Sequence, residues 1–289
     1  MKVFYHNDND GKCAAAIVRK FERCDGIEFI KCQYGDEFPL NTIADNERVY
    51  IVDYSIEPEE MTELLAITED VIWIDHHKTA IEKYDQFIDF AGNIKGIRQS
   101  GVAACQLTWR YFDTWGEIPQ IVKLIADRDV WRFEYGDTTR DLYYGLKGID
   151  KSPDNLSFWR DRLRVENTLS DTLRNGRVIR AAFEGEAASI VETNGFWVDF
   201  EGYKCYASNY FRGSEPFEVI EPDADVWLAF SYEGKNGCWT VSLYSNKPDI
   251  DVSEIAKEYE WNGKRGGGHK GAAGFQCNYP PFLVTEKES

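Results

Sequence analysis

Short runs of consecutive apolar residues alternate with helix-length segments over the first 130 residues. Val3-Phe4-Tyr5 leads through a glycine into an alanine-rich helical stretch, Lys12 to Phe21. Glu28 to Cys32 and Arg48 to Val52 read as further strands, and a helix from Glu57 to Ala66 precedes the strand Val71 to Ile74. Strands of uninterrupted apolar character, separated by helices, are those buried on both faces of a parallel sheet. The expected fold class is therefore α/β, with helices on both faces of an N-terminal parallel sheet. In such sheets ligands gather beyond the carboxyl ends of the strands. His6, Asp8 and Asp10 follow the first predicted strand, Asp53 follows the third, and Asp75-His76-His77 follow the fourth.

Farther along, an apolar helix is predicted between Gln99 and Phe112 with Ser100 as its cap, and another from Ile121 to Ala126 ending in Asp127-Arg128-Asp129. A connecting helix is expected over about 171–193. The texture then changes to short strands at Phe196–Phe200, Tyr203–Ala207, Val226–Tyr232 and Cys238–Tyr244. A helix, Val252–Tyr259, and the tract Lys264-Arg265-Gly266-Gly267-Gly268-His269-Lys270-Gly271, read as a loop, follow them. This places a boundary near residue 190, giving an N-terminal domain of 1–190 and a smaller C-terminal α/β domain of 191–289.

Composition narrows the classes. A chain of 289 residues, 43% hydrophobic and 15% aromatic, can bury a core in each of two domains. No apolar run approaches the roughly 20 residues of a membrane span, and the opening residues lack a signal-peptide pattern, so a cytoplasmic protein without a membrane partner is expected. The seven cysteines include no Cys-x-x-Cys pair and read as reduced thiols. A net charge of −17 disfavours tight binding of a long nucleic acid, whose affinity comes from neutralised phosphates.

Asp-x-Asp-Gly is usually a loop or cap, and Asp53 or Asp75 could each cap a helix. The histidines argue otherwise. The chain has four, and His6, His76 and His77 fall at strand ends beside aspartates while His269 lies in the glycine tract. Several carboxylates at one sheet edge repel one another unless a cation neutralises them. Mixed Asp and His donors without thiolate suit Mn²⁺ or other first-row divalent cations, with Mg²⁺ as the alternative.

Taken in order, His6-Asn7-Asp8-Asn9-Asp10-Gly11, Asp53, Asp75-His76-His77 and Gly266-Gly267-Gly268-His269-Lys270-Gly271 resemble the DHH phosphoesterase family with its DHH-associated C-terminal domain. The resemblance covers most of the chain. It implies an active site in the cleft between the two domains. One metal is expected on His6 and Asp8, the other on Asp10 and His76, with Asp53 bridging. His77 is expected at the scissile phosphate, and Asp75 behind a metal-ligand histidine, accepting its remaining N–H. A further ligand is expected from Asp127 or Asp129, with Asp127 preferred because it directly ends its apolar helix. Ser100, Arg265, Gly266, Gly267, Gly268, His269 and Lys270 are the expected substrate contacts, glycine backbones admitting a phosphate closely.

The family members so resembled act on short oligonucleotides, dinucleotides and pyrophosphate. The expected reaction is hydrolysis of short oligonucleotides or dinucleotides to mononucleotides by metal-activated water. A phosphatase for 3′-phosphoadenosine 5′-phosphate, pyrophosphate or short polyphosphate is the enzymatic alternative, and a non-catalytic nucleotide-binding protein the alternative of another class. One departure bears on the substrate. Where such C-terminal domains commonly carry Arg-Ser, this chain reads Tyr244-Ser245.

Overall fold

The computed structural model describes residues 1–85, 94–210 and 213–283. The chain divides into two compact units, Met1–Arg177 and Val178–Ser289, with the division inside a long helix, Ser170–Asn194.

In the first unit four strands form a parallel sheet: β1 (Lys2–His6), β2 (Glu28–Cys32), β3 (Val49–Val52) and β4 (Val71–Ile74), in the order β2-β1-β3-β4. Side chains alternate in direction along a strand, and the burial follows that period. Val3, Tyr5, Tyr50, Val52, Ile72 and Ile74 enter one core, where they meet Cys13–Val18 of helix α1 (Asn9–Glu22) and residues of later helices. Phe4, Val49, Ile51, Val71 and Trp73 enter another with Met61 and Leu64 of helix α2 (Pro58–Ile67). Both faces of the sheet are therefore covered, as the apolar strands require.

The strand order reverses between β1 and β3, which leaves a crevice at their carboxyl ends. The turn from β1 into α1 is tight enough to demand glycine. A Cβ on Gly11 would lie 2.1 Å from the His6 carbonyl oxygen. Gly11→Ala is expected to lower the free energy of unfolding by about 3 kcal/mol, because backbone cannot yield as a side chain can. Urea denaturation checks this, and an unchanged midpoint would contradict the close approach.

The second unit contains β5 (Gly195–Phe200), β6 (Tyr203–Asn209), β7 (Val226–Glu233), β8 (Cys238–Tyr244), the two-stranded ribbon of β9 (Glu260–Trp261) and β10 (Lys264–Arg265), β11 (Gly267–His269) and β12 (Ala272–Cys277). Six of them form a sheet in the order β11-β12-β8-β7-β6-β5, antiparallel except where β6 runs parallel to β7. Its core is built from Cys205, Ala207, Val226, Leu228, Phe230, Val241, Leu243, Val252 and Phe275. Among the described residues no helix is long and apolar enough to cross a membrane.

The glycine tract departs from expectation. Gly267–His269 is strand β11, paired antiparallel with β12 (Ala272–Cys277), so the tract is a hairpin and not a loop. A Cβ on Gly268 would meet the Ala272 carbonyl oxygen at 2.6 Å, and the residue has φ of +145°. Glycine serves close backbone approach here.

Candidate functional site

Eight Asp and His side chains of the first unit come together at the carboxyl edge of the sheet. His6 is the last residue of β1, Asp8 caps α1 by accepting the Gly11 amide, and Asp10 is buried in the first turn of that helix. Asp53 follows β3 in the left-handed region, with φ of +55°. Its amide donates to the Ile74 carbonyl, which ties the strained residue to β4. A non-glycine residue there costs about 1–2 kcal/mol, tolerated by Asp better than by most side chains.

The distances define the cluster. His6 Nδ1 lies 3.1 Å from Asp8 Oδ2 and 3.7 Å from Asp53 Oδ2. His76 Nε2 lies 3.0 Å from Asp53 Oδ1, 3.3 Å from Asp129 Oδ2 and 3.5 Å from Asp10 Oδ2. Asp10 is held from behind: its two oxygens accept the amides of Ala104 and Cys105 at 2.7 and 2.9 Å. Those amides open helix α4 (Ala104–Phe112) when α3 is taken as Lys78–Asp85, so an aspartate caps this helix from across the unit. The predicted cap, Ser100, lies instead in an exposed turn, and Ala103 occupies the cap position.

Asp75 faces its own neighbours. Its Oδ1 lies 2.7 Å from His77 Nδ1 and accepts the His76 amide at 2.8 Å. The histidine it grips is thus His77. Asp127 and Asp129 both belong to helix α5 (Gln120–Asp129), one turn longer than expected. Asp129 reaches the cluster. Asp127 is used up elsewhere, accepting the amides of Glu134 and Tyr135 and the hydroxyl of Thr139. The signal that separates them is helical spacing: Asp129 lies four residues beyond buried Ile125 and so extends that face.

In the second unit, Arg265 is exposed beside Glu260, Lys270 donates to the Pro248 carbonyl at 2.5 Å, and His269 ends β11. They lie on the glycine hairpin together with Gly266, Gly267 and Gly268.

Burial and like charge dominate the electrostatics of the cluster. Burial raises the Asp53 carboxyl well above the ordinary carboxylate range, and the charges of Asp8, Asp10, Asp129 and Asp75 push it the same way. Asp129 is raised by burial and then by Asp10 and Asp8. Burial also opposes ionisation of Asp8, but the hydrogen bond and charge of His6 outweigh it and hold Asp8 low. His77 is raised because Asp75 overcomes burial, whereas burial and the charge of His77 lower His76. Asp53 Oδ2, Asp75 Oδ2 and Asp129 Oδ2 are buried and have no hydrogen-bond partner among the described residues.

Orphaned carboxylate oxygens amid like charges are what a divalent cation relieves. The donor atoms fit that role: those of His6, Asp8 and Asp53 all lie within 4.8 Å of one another, as do those of Asp10, Asp53 and His76. Asp53 belongs to both sets.

A pH dependence follows for protein stripped with a chelator. The raised carboxyls of Asp53 and Asp129 contribute stability below the ordinary carboxylate pKa, and it is lost as pH rises through their folded values. His77, also raised, acts in the same direction, while the lowered His76 opposes it. Asp8 and Asp75, held low, matter only on descending below the ordinary carboxylate pKa. The melting temperature of stripped protein is therefore expected to fall as pH rises above the ordinary carboxylate range, and saturating Mn²⁺ to abolish or reverse that fall. Calorimetric melts across that rise in pH check both statements, and a rising Tm in the stripped protein contradicts them.

A doubly covered parallel sheet with an Asp and His cluster at its switch point defines an α/β protein with clustered metal-ligand side-chain types at one sheet edge. No family model matches the sequence. The chain superposes on the pGpG-specific phosphodiesterase PggH from Vibrio cholerae with a TM-score of 0.54 at 12% identity, covering 95% of this chain and 92% of that one. It superposes on the DHH domain of a member of the s1p family of ribosomal proteins with a TM-score of 0.50 at 13% identity, covering 94% and 81%. The fold is that of the DHH-domain proteins. In sequence, the chain is 24% identical over 300 aligned positions to the uncharacterized protein R106 of Acanthamoeba polyphaga mimivirus, covering 94% of this chain and 66% of that protein. It spans just under two thirds of that relative's length.

Proposed function

We propose that this chain is a metal-dependent phosphoesterase that hydrolyses phosphodiester bonds of short oligonucleotides or dinucleotides to mononucleotides. The observation that carries the reading is the pair of donor sets sharing Asp53, with buried carboxylate oxygens left over at the switch point of a DHH-type sheet. Superposition on a phosphodiesterase with the same fold supports the substrate class.

In this reading His6, Asp8 and Asp53 hold one cation, and Asp53, Asp10, His76 and Asp129 hold the other. The mixed donor set favours Mn²⁺, with Mg²⁺ as the alternative. Such ions, when bound, stabilise charge on the phosphoryl oxygens and acidify water. The chain supplies the geometry. The Ala104 and Cys105 amides fix Asp10, and the left-handed turn at Asp53 aims one carboxylate at both donor sets. Asp75 holds the His77 ring and favours its cationic form, which suits it to grip the scissile phosphate. Arg265, Gly266, Gly267, Gly268, His269 and Lys270 are proposed as contacts to the substrate's terminal nucleotide. All seven cysteines are free, which accords with work in the reducing cytoplasm.

The test is a product assay on chelator-stripped protein re-supplied with Mn²⁺ or Mg²⁺, using labelled RNA and DNA of two to ten nucleotides, pyrophosphate and 3′-phosphoadenosine 5′-phosphate. Release of mononucleotides is the expected result. Hydrolysis confined to the small phosphates would replace the substrate class, and inactivity on every compound would leave a nucleotide-binding protein.

A further inference from the structure

Two residues beyond the end of β2, Tyr34 lies against the histidines that flank the cluster. Its ring centroid is 5.5 Å from that of His6 and 5.5 Å from that of His77, edge-on to the latter. Buried Tyr54 supports it from behind, with centroids 4.9 Å apart, and Phe38 stacks on Tyr54 in turn. The Tyr34 hydroxyl lies 3.4 Å from Ser55 Oγ. Taken over the whole residue, Tyr34 is nevertheless 51% exposed, against 5% for Tyr54. Three rings and the Ser55 hydroxyl thus fix its position while part of the residue remains open to solvent.

A flat apolar surface in that place has little to offer an inorganic phosphate. It suits a nucleobase, whose face stacks on an aromatic ring whatever the base. His77, gripped by Asp75, is the proposed phosphate contact, and Tyr34 packs directly against it. A phosphate at His77 would carry its sugar and base toward the open side of the tyrosine.

We propose that Tyr34 is a stacking platform for a nucleobase, so that the site takes nucleotides bearing a base beside the cleaved phosphate and discriminates against base-free phosphates. The assignment of His77 to phosphate, on which the orientation rests, comes from the proposed function. The stacking itself is read by binding and needs no turnover.

Calorimetric titration of Mn²⁺-loaded protein with AMP, GMP and ribose 5-phosphate provides the test. Wild-type protein is expected to bind the nucleotides at least about tenfold more tightly than the sugar phosphate. Tyr34→Ala should weaken nucleotide binding by about ten- to hundred-fold and change ribose 5-phosphate affinity by less than about threefold. Tyr34→Phe keeps the ring and loses only the hydroxyl, so it should restore nucleotide affinity to within about threefold of wild type. Matching thermal melts for the three proteins exclude misfolding. Equal losses for both ligand types, no loss in the alanine variant, or no base preference in wild type would each overturn the platform. The two readings fail separately. Base-dependent binding through Tyr34 without hydrolysis would remove the proposed activity alone, and oligonucleotide cleavage with Tyr34→Ala sparing nucleotide affinity would remove the platform alone.

Discussion

Asp53→Asn is expected to lower kcat/KM for oligonucleotide hydrolysis by about 10³-fold or more, equivalent to about 4 kcal/mol of transition-state stabilisation. Asp53 is the residue common to both donor sets, so its loss disturbs two cation sites at once. Asparagine is the informative replacement because it keeps the size of the side chain, tolerates the φ of +55° and can still bond to His76. What it removes is the charge. That charge is a burden in the absence of cations, since Asp8, Asp10, Asp129 and Asp75 all oppose its ionisation. Chelator-stripped Asp53→Asn should therefore melt at or above the wild-type temperature at pH 8, while gaining less from added Mn²⁺. Activity within tenfold of wild type would remove Asp53 from the centre of the mechanism.

Much of this arrangement is legible in the chain because local rules set it. The apolar run Val71–Ile74 coincides with a strand, since four buried residues bounded by polar ones fit only a covered sheet position. The rule that ligands gather at carboxyl ends of strands then brings His6, Asp53 and Asp75 to one edge before any contact is known. Glu28–Cys32 is read with the same success although only Cys32 is buried, its β-branched and aromatic centre sufficing. Long-range relations are not legible in this way. The cap of the helix at Ala104 comes from Asp10, 94 residues away, which leaves Ser100 as an attractive local answer to a question settled elsewhere. The glycine tract reads locally as a loop, because glycine-rich turns are usually flexible. A Cβ on Gly266 would lie 2.3 Å from the Ala256 carbonyl, and that crowding, invisible in sequence, permits only glycine in the hairpin.

The choice between Asp127 and Asp129 shows where local reading ends, and it yields the sharpest mutational contrast. Both residues lie in the last turn of one helix, and ending that helix at Ala126 made the nearer aspartate the natural candidate. Extension by one turn gives them separate tasks. Asp127 gathers the Glu134 and Tyr135 amides and the Thr139 hydroxyl, closing the turn beyond the helix, while the buried Asp129 Oδ2, which has no hydrogen bond among the described residues, lies 3.3 Å from His76 Nε2. Asp127→Ala would strand the buried Thr139 hydroxyl and release the part-buried Glu134 and Tyr135 amides, and is expected to cost about 2–3 kcal/mol of stability, read by urea denaturation. Its Mn²⁺ affinity, measured by calorimetric titration at a temperature where it is folded, should stay within about threefold of wild type. Asp129→Asn should behave in the opposite manner. Removing a charge that Asp10 and Asp8 disfavour relieves the stripped protein, whose Tm at pH 8 should rise, whereas Mn²⁺ affinity and kcat/KM should each fall by about 10²-fold. Neither variant alone decides the matter, because any buried aspartate can lower activity by loosening the fold. The crossed pattern does decide it. Stability lost with metal retained at one position, and metal lost with stability retained at the other, separates a structural carboxylate from a ligand two residues away, and the reverse pattern would return the ligand role to Asp127.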